Sequence, residues 1–179
     1  MKTAPRIFAF GFCLLLFLIP ARAVGLVDTM EELQQRFDRE TDGVSKAKLL
    51  RRLGDAQFER ERNAAKAGDY ESVGLIMEKY RDNVRAAFDA LKKSHPDGER
   101  HPSGYKQLEI HVESGIREAI DLLTAMPEPY RPPMEIVKGD LLTIDKELLR
   151  MLFPRRPGEK PLPPKTTGTS KPPREEKKP

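Results

Sequence analysis

The stretch GDYESVGLIMEKYRDNVRAAFDALKKS, residues 68–94, decides the fold. Within it Tyr70, Val73, Ile76, Met77, Tyr80, Val84, Ala87, Phe88 and Leu91 recur at steps of three and four, the period of one helical face, over about six turns. Gly68 and Asp69 supply a stop and a start. Glycine takes the left-handed conformation that ends one helix, and the aspartate carboxylate accepts from the free amides that open the next. So short a joint folds two helices back along each other as an antiparallel hairpin.

Working upstream, the partner helix runs from about Ser45 to Lys66, with Ala47, Leu50, Leu53 and Phe58 inward and the run Glu59-Arg60-Glu61-Arg62 toward solvent. Before it, Thr29 and Glu32 have the spacing of a capping box, and Met30, Leu33 and Phe37 share a face, which predicts a helix from about Asp28 to Glu40 ended by Thr41-Asp42-Gly43. Downstream, a polar loop through His95-Pro96-Asp97-Gly98 leads to a fourth helix from about Ser103 to Pro127, with Tyr105, Leu108, Val112, Ile116, Ala119, Ile120 and Leu123 inward. Pro129-Tyr130-Arg131-Pro132-Pro133 reads as a stiff connector, because proline fixes its own backbone and biases its predecessor toward extended geometry. A fifth helix then spans about Pro133 to Leu152, with Met134, Val137, Leu141, Ile144, Leu148 and Met151 or Leu152 inward and Leu142 and Leu149 widening the stripe.

No segment alternates with the period of two that a strand needs. The expectation is an all-α fold, an antiparallel bundle of about five coiled-coil-like helices over residues 24–153. Gly74, Gly115 and Gly139 fall inside predicted helices at about 1 kcal/mol each relative to alanine, and are read as a tolerated cost rather than as close helix approaches.

The pattern Lys46-Ala47-Lys48-Leu49-Leu50, Arg52-Leu53, Gly68-Asp69-Tyr70-Glu71 and Glu78-Lys79-Tyr80 resembles an uncharacterised family of exported bacterial helical-hairpin domains, over residues 46–91. That resemblance implies an exported helical domain and brings no catalytic residue with it. Leu53-Gly54 and Gly68-Asp69-Tyr70-Glu71 are also similar to tetratricopeptide repeats. The gap between the two glycines is too long for that repeat, and no second copy follows at its period.

The two ends of the chain differ from this body. Lys2 and Arg6, an apolar run from Ile7 to Ile19, and Ala21-Arg22-Ala23 follow one another in the order of a secretory signal, so residues 1–23 are expected to be a signal peptide cleaved after Ala23, and the protein to be exported, periplasmic or secreted. The run is shorter than the roughly 20 residues of a spanning helix. Cys13, the single cysteine, lies within it. An exported chain without cysteine has no disulfide, thiolate zinc site, iron–sulfur cluster or cysteine nucleophile. Residues 154–179 contain eight of the sixteen prolines and one aliphatic residue, Leu162, and are expected to be a disordered Pro- and Lys-rich basic tail. Apart from these ends the body has 21 basic and 25 acidic residues, so the net charge of +4 conceals a mildly acidic domain with a basic tail.

Motifs for chemistry are scarce. Asp97, Glu99, His95 and His101 share one loop and are weak candidates for a nitrogen and oxygen metal site, but their spacing is no recognised ligand pattern, and a proline follows each histidine. The Glu-x-x-His pairs of a di-iron bundle are missing, with Leu108 three residues before His111 and Gly98 three before His101. There is no nucleophile elbow and no phosphate-binding glycine loop. Alternating charge along the helices reads as solvated surface, so no nucleic acid partner is expected. The sequence therefore predicts no enzyme and no cofactor, but an exported, non-enzymatic helical interaction or envelope-associated module. Arg155, Arg156, Lys177 and Lys178 would give the tail weak contact with anionic lipid or an envelope polymer. A metal-binding protein using the His95/His101 loop and a periplasmic holdase-type chaperone with an open apolar face are the alternatives.

Overall fold

The computed structural model of the protein describes residues 29–154. Five α-helices follow one another: α1 (Met30–Arg39), α2 (Gly43–Lys66), α3 (Tyr70–Ser94), α4 (Pro102–Ala125) and α5 (Arg131–Leu152), with one 3-10 turn, Glu128–Tyr130, ahead of α5. The signal-peptide expectation and the tail cations Arg155, Arg156, Lys177 and Lys178 lie outside the described residues.

The helix starts follow their chemistry. Thr29 Oγ1 accepts from the Glu32 amide while a Glu32 carboxylate oxygen accepts from the Thr29 amide, a complete capping box on α1. Asp42 accepts from the Ser45 amide at the start of α2 and Asp69 from the Ser72 amide at the start of α3. Those bonds hold both carboxyls below their usual range. Gly68, at φ +76°, takes the left-handed turn between α2 and α3. The proline-rich connector is shorter than its sequence suggests. Pro132 and Pro133 stand inside the first turn of α5, where an amide would have no intrahelical acceptor and the fixed proline angle suits the helix.

Consecutive long helices run antiparallel, and the two hairpins, α2–α3 and α4–α5, stack on each other. Gly54 of α2 lies against His111 of α4, and Arg62 of α2 pairs with Glu118 of α4, so these two helices ascend together. Arg85 to Asp140 and Lys92 to Glu147 set α3 beside α5 in the same way. The square is thus α2–α3–α5–α4, and α3 and α4 meet across its diagonal. Short α1 packs on α2 and is tied to α3 by a reciprocal amide pair, Gln34 with Asn83.

Glycines permit α4 to approach α2 and, across the diagonal, α3. A methyl at Gly115 would strike the Tyr80 ring, one at Gly54 the His111 ring, and one at Gly104 the Leu91 side chain. Gly115 is therefore a close-approach position. Gly74 and Gly139 have nothing near the place a methyl would take, and at these two the tolerated-cost reading stands. The apolar stripes of α2 to α5 are buried on each other, with Leu50, Leu53, Met77, Tyr80, Leu91, Leu108, Leu141 and Leu148 sealed from solvent. On α4, Ile120 is 47% exposed and Leu122 takes the inward place instead, because the inner face of this helix is centred on Leu108, Val112 and Ala119. None of the described helices is long and apolar enough to cross a membrane.

Candidate functional site

The stripe of α2 continues through residues of any chemistry. Steps of three and four from Leu50 lead through Gly54 and Gln57 to Glu61, which belongs to the charged run expected on the solvent face yet is fully buried. Neither Glu61 carboxylate oxygen has a donor. Its polar neighbour on α4 is another carboxyl, Glu118, itself held by Arg62 Nη1 at 3.2 Å. Two carboxyls bond each other only when one carries a proton. Burial first, and then Glu118, raise the Glu61 pKa to about 7.

Two turns earlier on α4, His111 fills the same seam. It packs between Phe58 and Tyr80, with ring centroids 5.6 Å from each. Tyr80 Oη donates to the His111 carbonyl at 2.9 Å, and burial pushes the Tyr80 hydroxyl pKa up. Among the described residues the His111 ring nitrogen Nε2 is buried beside Gly54 without a partner, and desolvation lowers the pKa of the ring. This histidine is a core residue, remote from the loop that holds the other two.

The outer rim of the same seam is cationic. Lys48, Arg51 and Arg52 of α2 line a hollow of about 450 Å³ whose α4 wall is Gln107 and Ile110. Gln107 Oε1 is buried there with no donor, and Ile110 is 62% exposed. Among the described residues no carboxylate lies within ion-pair distance of Lys48 or Arg51. A second hollow, of about 460 Å³, shares Lys48 and adds Arg36 and Arg39 of α1, with Glu40 on its lining. No acidic residue occurs between Gly43 and Gly54, and α2 lacks the first-turn acid that a helix dipole favours and that α1 and α3 have. That acid-free run, Lys46 to Arg52, is the sequence signal for this surface.

The far flank of α4 is acidic. Glu109, Glu113 and Asp145 of α5 approach one another, and burial and mutual repulsion raise the pKa values of Glu109 and Asp145. Asp145 Oδ1 is buried and unpartnered. Glu113 has a cation, Arg117, at 3.7 Å.

The loop histidines are brought together, His95 and His101 standing edge to face at 5.3 Å between centroids. His95 Nδ1 is 2.9 Å from Ser94 Oγ, and Tyr105 Oη donates to the His95 carbonyl at 2.7 Å. Asp97 turns to Arg100, accepting from its amide and pairing with its guanidinium at 3.0 Å, and Glu99 is half-buried. Among the described residues, no three His, Cys, Asp or Glu side chains are placed to hold one metal ion. The loop lines a hollow of about 420 Å³ with Arg100, Lys106 and the two histidines. No protein-family model, curated protein or solved structure matches the chain.

Proposed function

We propose that the protein is a non-catalytic helical interaction module that works at the cell envelope after export. The observation that carries this reading is the rim of the α2/α4 seam, where Lys48 and Arg51 stand without carboxylate partners among the described residues, beside the exposed Ile110. Arginine beside an exposed aliphatic side chain at the mouth of a hollow is a combination that interaction surfaces favour. Export rests on the order of charge, apolar run and Ala21-Arg22-Ala23, and on the resemblance of residues 46–91 to exported helical hairpins. The holdase alternative needs an open apolar face, whereas the long stripes here close on each other. The tail cations Arg155, Arg156, Lys177 and Lys178 add weak attraction to anionic lipid or polymer in this reading.

The test is photo-crosslinking in cells, with a benzophenone amino acid at Ile110 and, as a control, at exposed Glu71 of α3. Crosslinked species specific to position 110, recovered from the envelope fraction with an N-terminus at Val24, are expected. A chain recovered from the cytosol with Met1 intact removes export. Identical patterns at the two positions remove the interaction surface.

A further inference from the structure

The two flanks of α4 are complementary to each other but do not face each other. On the α2 side stand Lys48 and Arg51, without carboxylate partners, and a buried amide oxygen of Gln107 that lacks a donor. On the α5 side stand Glu109 and Asp145, both in the field of Glu113, and one Asp145 oxygen is buried without a donor. Between the flanks runs the outer crest of the helix, where Ile110 is 62% exposed. The formal charges of the two flanks are thus complementary, Lys48 and Arg51 on one and Glu109 and Asp145 on the other. A single chain cannot bring them together, because the helix itself separates them.

We propose that this surface is a twofold self-association interface, in which the cationic flank of one chain meets the acidic flank of a second copy across the Ile110 crest. The proposal rests on the reading of the α4 surface as an interaction surface and names its partner. Symmetry fixes the arrangement further. A twofold axis across α4 would set cations against cations, whereas an axis along α4 exchanges the flanks, so that both charge contacts form at once and Ile110 meets its own counterpart. The two α4 helices then run parallel. The lining residues suit a second protein chain better than other anions. No aromatic side chain is present for stacking a single-stranded base, and a recessed hollow is poorly reached by a flat bilayer.

Sedimentation velocity on the full chain at low ionic strength tests this. Concentration-dependent dimerisation is expected, weakening as salt is added. Ile110→Glu should raise the dissociation constant about thirtyfold, the effect of losing one interface hot spot. Lys48→Glu with Arg51→Glu should leave a monomer, and so should Glu109→Lys with Glu113→Lys. An equimolar mixture of these two charge-reversed proteins should dimerise again, while Lys66→Glu with Lys79→Glu should change nothing. Helical circular dichroism on each protein separates lost association from lost folding. For the orientation, Arg117→Cys in a Cys13→Ser background should crosslink to itself under mild oxidation.

A wild-type chain that stays monomeric, a dimer indifferent to both charge reversals, or a mixture that fails to recover overturns the proposal. So does a monomer that binds a peptide of alternating Glu and Leu through Lys48 and Arg51, which gives the surface to a different protein. If position 110 still crosslinks in cells while the purified chain is monomeric, self-association falls and the interaction reading stands.

Discussion

The bundle contains two seams between parallel helices, and they are built from opposite materials. At α3/α5 the polar groups are satisfied where they stand: Asp140 receives Arg85 at 3.1 Å and Arg81 at 3.6 Å, and Lys92 reaches both Asp89 and Glu147. At α2/α4 the interior holds Glu61 and His111, each with buried polar atoms that lack partners, and the rim holds Lys48 and Arg51 without carboxylates. Among the described residues the remaining unpartnered buried side-chain atoms are on Gln107 and Asp145, along the flanks of α4, and α3 has none. Buried polar groups are bonded in the great majority of cases, so a cluster of exceptions around one helix marks where the fold gives up stability. The α3/α5 seam reads as scaffold and the α2/α4 seam as the working side.

The largest expected effect comes from closing the glycine gaps around α4, at its seam with α2 and at its diagonal contact with α3. Gly54→Ala and Gly115→Ala each drive a methyl into a buried ring, His111 or Tyr80, and should lower stability by about 2–3 kcal/mol despite better helix propensity. Gly139→Ala on α5 meets nothing and should raise stability by about 0.5–1 kcal/mol. Urea unfolding of the full chain compares them. Equal responses at the three positions would erase the contrast between the packed seam and the open face.

Next in size is the buried carboxyl. Glu61→Gln should stabilise the protein at pH 8 by about 1–3 kcal/mol, because it replaces a buried, ionised group with an amide that can donate to Glu118. The two buried titrating groups also have opposite pH slopes. Glu61 binds its proton more tightly folded than unfolded, so its contribution falls as pH rises from the ordinary carboxyl value of 4.5 to about 7. His111 binds its proton less tightly when folded, so its contribution is complete above 6.5 and is lost as pH falls through its depressed folded value. The wild-type profile between pH 4.5 and 7 should therefore be flattened. Glu61→Gln should reveal a midpoint that rises with pH, and His111→Gln one that falls. Thermal melts across this range check both slopes.

The smallest effect belongs to the scaffold seam. Asp140→Asn removes partners from Arg81 and Arg85, but these are partly exposed ion pairs and the loss should stay within about 1 kcal/mol, shrinking further in salt. A larger loss would show that the α3/α5 pairs are structural in their own right, and the comparison would need redrawing.

Much of this architecture was legible in the chain. The apolar stripe of Tyr70 to Leu91, the Gly68-Asp69 joint, the Thr29/Glu32 capping box and the inward set of α5 all express local chemistry, and the structure repeats them. Glu61 departs from the solvent face that its charge predicts, because helical period and not charge decides its place. Four consecutive charged residues cannot all avoid the core on a helix that turns about 100° per residue, and the steps from Leu50 and Gly54 point at Glu61. The sequence starts α5 near Pro133, two residues late, because proline reads first as a breaker, although the opening turn of a helix tolerates Pro132 and Pro133. Gly54 and Gly115 could not be told from Gly74 and Gly139, because their difference lies in which helix crosses them, and the diagonal meeting of α3 and α4 is a tertiary fact. Of the candidate site, the acid-free run Lys46 to Arg52 was visible, but its pairing with Gln107 and Ile110 depended on knowing that α2 and α4 are neighbours.

The measurement closest to the central claim is the titration of the Glu61 side-chain carboxyl carbon by NMR in the full chain, assigned by comparison with Glu61→Gln. If the α2/α4 seam buries an acid without a donor, Glu61 should titrate near pH 7, well above the ordinary carboxyl value of 4.5. A midpoint at 4.5 or below would mean that water or a cation satisfies Glu61, and the distinction drawn between the two seams would fail.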